Sequence, residues 1–357
     1  AAKHQSSHNS GVIHSGVYYK PGSQKAKNCV EGYRLLLDFC DTHDITYEIC
    51  GKLIVATKED QVDMLKLISD RGQTNGLEGL RRLNLEQMQE IEPNVMGVQG
   101  IYVPQTGIID YAKVAAKLAQ VIAQNGAAIH YNAAVKKVVN GKTGQVHVIT
   151  ETGSYTASLV INCAGLYSDK VARLCGEHPE VRIIPFRGEY YQLKPERAKL
   201  VRNLIYPIPD PNFPFLGVHF TRMINGGVEA GPNAVLAFAK EGYTKGTIDF
   251  RELAQTLSWP GFWKVAAKYW RTGLGELVRS YSKGRYTKAL QALIPDITEA
   301  DIEPGGAGVR AQACHRKGYL LDDFYVIERK HFIHVLNAPS PAATSCLAIG
   351  KAIGARV

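Results

Sequence analysis

The twelve residues from His8 to Tyr19, HNSGVIHSGVYY, hold two histidines and two glycines around Asn9 and Ser10. This composition suits a loop pressed against a ligand. Glycine lets backbone amides approach a phosphate or a ring edge with no side chain between, while Asn9 and Ser10 hydrogen-bond locally in tight turns. A second ligand-facing turn is expected in SLVINCAGLYSD, where an apolar strand breaks at Ala164 and Gly165 into a helix. Open α/β sheets bind ligands at such strand ends. The third feature is a basic stretch: from Gly261 to Leu290 seven Lys or Arg stand against the single Glu276, and Trp259, Trp263 and Trp270 fall within twelve residues beside Phe262. Tryptophan and cations on one helix suit a membrane surface, with the rings at headgroup level. A plain helix that packs its rings inward and solvates its basic face is the other reading. Nucleic acid is not an expected partner, because the charge comes without a nucleic-acid-binding motif.

The elements that must position these residues follow from pattern. A chain of 357 residues with 45% apolar and 21% charged residues exceeds one ordinary core and implies two domains. No run of about 18 apolar residues and no signal-peptide pattern is found. The expected location is therefore the cytoplasm, with peripheral contact on the inner membrane as the variant. Seven cysteines without a CxxC pair fit a reducing compartment and structural roles, and no metal site is expected. Residues 22–43 carry Ala26, Cys29 or Val30, Tyr33, Leu36, Leu37 and Cys40 at helical spacing, and ITYEI followed by KLIVA reads as strands. Asp110 is a helix cap for YAKVAAKLAQVIAQ, which stops at Asn125 and Gly126. Two alternating strands are expected around Gly141 and Gly153, so an α/β layer spans about 108 to 180.

Six blocks, in order, carry a resemblance: HNSGVIHSG, VINCAGLYSD, PFRGEYY, IYPIPDPNFPFLGVHFTR, AGVRAQ with DDFYVIE, and NAPSPAATS. Together they resemble the L-2-hydroxyglutarate dehydrogenases, within the FAD-dependent oxidoreductases that include glycerol-3-phosphate dehydrogenases and D-amino-acid oxidases. The resemblance implies an α/β fold: a discontinuous Rossmann-like FAD domain from 1–45, 108–180 and 302–357. A mostly antiparallel α+β substrate domain would take 46–107 and 181–301, including the basic, tryptophan-rich helical segment 259–290. Relatives open with a βαβ unit bearing GxGxxG, and this sequence starts where that unit ends. Gly273-Leu274-Gly275 is only a decoy, having no strand ahead of it. The expectation is a chain that lacks the N-terminal βαβ unit.

The implied reaction is oxidation of L-2-hydroxyglutarate to 2-oxoglutarate by hydride transfer to the flavin, with quinone or oxygen as electron acceptor. The alternatives are a related flavin dehydrogenase of another 2-hydroxy acid or of glycerol 3-phosphate, and an inactive flavin-free fragment. By resemblance, Ser7, His8, Asn9, Ser10 and Gly11 form a loop along FAD, Val135 meets the adenine side, and Ala164 and Gly165 line the nucleotide half. Pro339, Ser340, Pro341, Ala342 and Ala343 resemble a loop and helix start whose amides face the pyrimidine edge. A dicarboxylate needs arginine partners, for which Arg187, Arg222 and Arg310 are candidates. Arg310 stands where related oxidases keep a carboxylate-gripping Gly-x-Arg, whereas Arg187 has a structural ion pair with Glu189 as its other reading. His14 and His219 are the candidate bases for the 2-hydroxyl proton. Tyr190 and Tyr191 are pocket candidates, of which strand alternation permits one.

Overall fold

The computed structural model describes residues 1–141, 144–210 and 216–357; residues 211–215, inside the fourth block, lie outside the described residues. Its centre is a ten-stranded, mostly antiparallel sheet. The longest ladder joins Val181–Leu193 to Ile302–His315, with Phe186 opposite Arg310, Gly188 opposite Gly308, and an irregularity between Glu189 and Tyr191. Ile302–His315 therefore belongs to the large sheet, and the expected 301/302 division falls at the start of one of its strands. Leu204–Pro207, His219–Arg222 and Val228–Gly231 extend the sheet, and Lys52–Ala56 joins it parallel to Leu204–Pro207.

Alternation along these strands separates two environments. One face carries Leu53, Val55, Ile205, Phe220, Val228 and Ala230 into the largest core, closed by Tyr286, Leu290 and Ile294 from the helical region. The Tyr286 hydroxyl crosses that layer and donates to the carbonyls of Glu189 and Ala230. The opposite face presents Tyr206, His219, Thr221 and Glu229, alternating with the core residues on the same three strands.

Smaller sheets frame this one. Val160–Asn162 runs parallel to Phe332–Asn337, which pairs antiparallel with Tyr325–Arg329. Val135–Asn140, Val146–Thr150 and Ser154–Ala157 form a meander that turns at Gly141 and Gly153. Gln24–Thr42 is capped by Ser23, whose side chain accepts from the Ala26 amide, and it buries Ala26, Cys29, Gly32, Leu36 and Cys40. Gly32 is required by contact, since a Cβ there would lie 2.5 Å from Ser345 Cα. Tyr111–Gln124 is capped by Asp110 and ends at Asn125 and Gly126, as its sequence signals predict.

The basic stretch forms the helices Pro260–Tyr281 and Lys283–Leu290, and Gly273 and Gly275 lie inside the first. The expectation that all three tryptophans share one surface needs correction. Trp259 is 7% exposed, and its indole N–H donates to the Cys314 carbonyl at 3.0 Å, which satisfies the polar edge of a buried ring. Trp263 and Trp270 are outside, at 57% and 58% exposure. Among the described residues, no helix is long and apolar enough to cross a membrane.

Candidate active site

A cavity of about 560 Å³ lies between the Gln5–His14 loop, the polar face of the large sheet and the Ala338–Ala343 segment. Into its walls come His8, Asn9, Ser10, His14, Tyr190, His219, Arg310 and the run Pro339 to Ala343, residues drawn from opposite ends of the sequence. The volume and mixed lining suit a small-molecule site.

Each wall is fixed by identifiable bonds. Asn9 organises its own loop: its amide donates to the carbonyls of Gln5 and Ser6, and its Oδ1 accepts from the Gly11 amide. Gly11 is there for conformation, with φ at +64° and space for a Cβ closed by the Ile109 carbonyl at 2.5 Å. His8 is held by a ring stack on Tyr243. Thr344, fully buried, ties the two ends together, because its Oγ1 accepts from the His14 amide at 3.1 Å and shares a hydrogen bond with the Tyr111 hydroxyl at 2.8 Å. Ser10, Tyr190 and Tyr206 all line the cavity, and the Tyr206 hydroxyl shares a 3.4 Å hydrogen bond with Thr221 Oγ1. Tyr191 points away and packs edge-on against Tyr286, so of the two tyrosines only Tyr190 faces the cavity.

The two histidines are neutral. Burial holds His14 down at about 3, helped by the nearby cationic Lys52 and Lys25 and by the cost of charging it beside His219. Burial likewise takes His219 to about 3, against the raising effect of its bond to the Gly217 carbonyl and with Arg310 and Lys52 pushing further down. That bond, 2.9 Å from Nδ1 to a carbonyl that only accepts, places the proton on Nδ1 and leaves Nε2 as the acceptor. His219 also stacks on Tyr206, with ring centres 3.9 Å apart.

Arg310 is the one candidate arginine in the cavity wall. Arg187 is withdrawn, as both Nε and Nη2 donate to Glu189 Oε1 and Nη1 donates to the Thr244 carbonyl. Its place in the site is corrected to that of a buried structural ion pair. Arg222 is also outside the cavity, at the end of the strand that begins with His219, where Glu48 holds it. Ser7 and Gly11 shape the loop without lining the cavity, Ala164 and Gly165 are exposed beside Gln5, and Val135 starts the separate meander. Those positions are not gathered into the cavity with the others.

Three polar residues near the cavity escape a reading of the sequence. Lys52 is 1% exposed, with its ammonium 4.6 and 4.8 Å from the ring centres of Tyr18 and Tyr206. Glu229 is half-buried on the polar face, its Oε2 has no partner among the described residues, and burial pushes its carboxyl up to about 7. Gln312 lines the cavity one alternation beyond Arg310. The available signals were a lysine heading an otherwise apolar strand and a glutamate alternating with core residues. Among the described residues no three His, Cys, Asp or Glu side chains converge on a possible metal position.

Comparison with known proteins places this arrangement. The family model described as FAD dependent oxidoreductase matches residues 1–356. The L-2-hydroxyglutarate dehydrogenase of Indibacter alkaliphilus is 59% identical over 353 residues, covering 99% of this chain and 88% of that protein. Its counterpart in Escherichia coli K12 is 45% identical over 356 residues, covering 100% of this chain and 84% of the other. Among solved structures, dithionite-reduced L-α-glycerophosphate oxidase from Mycoplasma pneumoniae with FAD bound superposes with a TM-score of 0.79 at 22% identity, covering 98% of this chain and 84% of that one. At that identity the structural likeness speaks for the fold, a mixed α/β architecture. The chain is therefore an enzyme of the FAD-dependent oxidoreductase family, and within it belongs with the L-2-hydroxyglutarate dehydrogenases.

Proposed function

We propose that the chain oxidises L-2-hydroxyglutarate to 2-oxoglutarate in the cavity between the Gln5–His14 loop and the Arg310 strand. The observation that carries this reading is the meeting there of one arginine and two neutral histidines. The donor set fits FAD: two backbone-rich segments, residues 5–11 and 338–343, oppose each other across a cavity with surplus positive charge. We assign the flavin-side segments to 1–45, 108–180 and the C-terminal part of the chain. When bound, FAD supplies the hydride acceptor.

The remaining work falls to side chains. Arg310 binds the carboxylate next to the reacting carbon through its planar fork, fixing which face of C2 meets the flavin. His219, with Nε2 free to accept, takes the 2-hydroxyl proton, and His14 is the second candidate for that role. The rings of Tyr190 and Tyr206, beside Ser10 in the cavity wall, shield the pocket from water. A steady-state panel with an artificial electron acceptor tests the reading. L-2-hydroxyglutarate is expected to exceed its D enantiomer, L-lactate and glycerol 3-phosphate in kcat/KM, and a preference for glycerol 3-phosphate would replace this reading with its nearest rival.

For the acceptor we propose a membrane quinone. In Pro260–Tyr281, which kinks at Tyr269, Trp270, Leu274, Leu277 and Tyr281 are exposed at spacings that keep them on one stripe after the kink; Trp263 is exposed before it, and Lys264, Lys268 and Arg271 lie alongside. Phe250 adds a further ring at 79% exposure. Such a stripe suits peripheral attachment to an anionic bilayer. Flotation with anionic liposomes is expected for the wild type and lost on replacing Trp263 and Trp270 by serine. Flotation that ignores the replacement leaves oxygen as the acceptor to examine.

A further inference from the structure

We propose that Lys52 is the specificity-determining cation of this site, the charge that makes the cavity prefer a substrate with a second carboxylate. The inference rests on the 2-hydroxydicarboxylate reading above. Lys52 is 1% exposed, and its ammonium lies over two tyrosine ring faces, with no ion pair to a carboxylate among the described residues. Ring faces attract a cation without replacing its hydration, and a buried charge without a counter-ion is costly.

The ionisable groups that face Lys52 supply no anion. Burial pushes the Cys29 thiol up to about 12 and the Tyr18 and Tyr206 phenols above their ordinary range, while His14 and His219 are neutral. Glu229, on the Tyr206 side, is itself pushed up to about 7. Asp322, at the cavity rim, is bound to Lys25 at 2.9 Å and open to solvent. Accordingly burial draws the Lys52 ammonium down to about 7, so the amine is half-charged near neutrality.

An anion entering beside His14 and His219 supplies the missing counter-charge. With a monocarboxylic 2-hydroxy acid, the single carboxylate is taken by Arg310. A second carboxylate is the group that gains from Lys52 and draws a proton onto its amine. Tyr206 and His14 line the cavity whereas Lys52, 4.8 Å from the Tyr206 ring centre, does not, so Lys52 acts by charge rather than by contact with the reacting atoms.

The test uses L-2-hydroxyglutarate and L-2-hydroxyvalerate, which has the same chain length with a methyl in place of the distal carboxylate. Lys52→Met is expected to lose roughly 30-fold in kcat/KM on the dicarboxylate, mostly through KM, the order expected for removing one unit charge from a partly polar interior. On the monocarboxylate it changes by less than about 3-fold, and Lys52→Arg keeps the dicarboxylate preference. Equal losses on both substrates, or no loss, overturn the proposal. If the wild type itself shows no preference for the dicarboxylate, the underlying functional reading has failed instead. Calorimetry of glutarate binding at pH 8 in two buffers gives a second readout that needs no variant: the wild type takes up a fraction of a proton. Absence of uptake, or its survival in Lys52→Met, overturns the assignment in favour of no coupling or of Glu229, His14 or His219.

Discussion

The two faces of the large sheet are built from the same strands and do opposite work. On one, Ile205, Phe220, Val228 and Ala230 are at most 2% exposed and join the main core. On the other, their immediate neighbours Tyr206 and His219 line the cavity with Glu229 on the same face, and all three carry ionisation far from ordinary values. A strand cannot shift by one residue without exchanging the two sets. The apolar face thus sets the register that places the chemistry, and damage to either face should be separable by what it changes.

The largest effect expected is on the polar face. Arg310→Met should lower kcat/KM by about 10³-fold, the order seen when one partner of a desolvated charge pair is removed, while flavin content is retained. Phe220→Ala, on the other face, should reduce stability by about 3 to 5 kcal/mol, read by denaturant unfolding, with kcat of the folded fraction nearly unchanged. His219→Gln should cost roughly 10²-fold in kcat with flavin content retained. In the wild type, kcat/KM reports free-enzyme ionisations, so it should show no inflection near 6.5, because both histidines are neutral down to about 3. Raising the pH through 7 removes charge from Lys52 and adds negative charge to Glu229; both changes oppose a dianion, so KM for the dicarboxylate should rise several-fold by pH 9. Smallest of all is Arg222→Ala, which breaks a half-exposed pair with Glu48 and should cost under about 1 kcal/mol with activity within about 3-fold.

What could be read from sequence divides along physical lines. Local signals sufficed for Asp110 as a cap and for the end of Tyr111–Gln124 at Asn125 and Gly126, since caps act within one turn. Alternation implied that only one of Tyr190 and Tyr191 faces the pocket, and the structure identifies it as Tyr190. The arginines were not separable in the same way: Arg187 and Arg310 sit on adjacent strands, and only Glu189 two residues away and the Thr244 carbonyl, far along the chain, remove Arg187 from the site. Trp259 and Trp263 differ in exposure because the Cys314 carbonyl meets the first indole, a contact between residues 55 apart. Lys52 was hidden for a related reason. Its strand reads as buried core, and the two rings that accommodate the ammonium come from distant segments.

The most direct test of the central claim is anaerobic addition of L-2-hydroxyglutarate to the purified FAD-loaded protein, followed by its visible absorption. Rapid loss of the yellow oxidised-flavin spectrum with L-2-hydroxyglutarate, and not with the D enantiomer, is the predicted result. A flavin that stays oxidised with L-2-hydroxyglutarate, or that is bleached equally by either enantiomer, contradicts the role given to Arg310 and His219 in orienting and deprotonating this substrate.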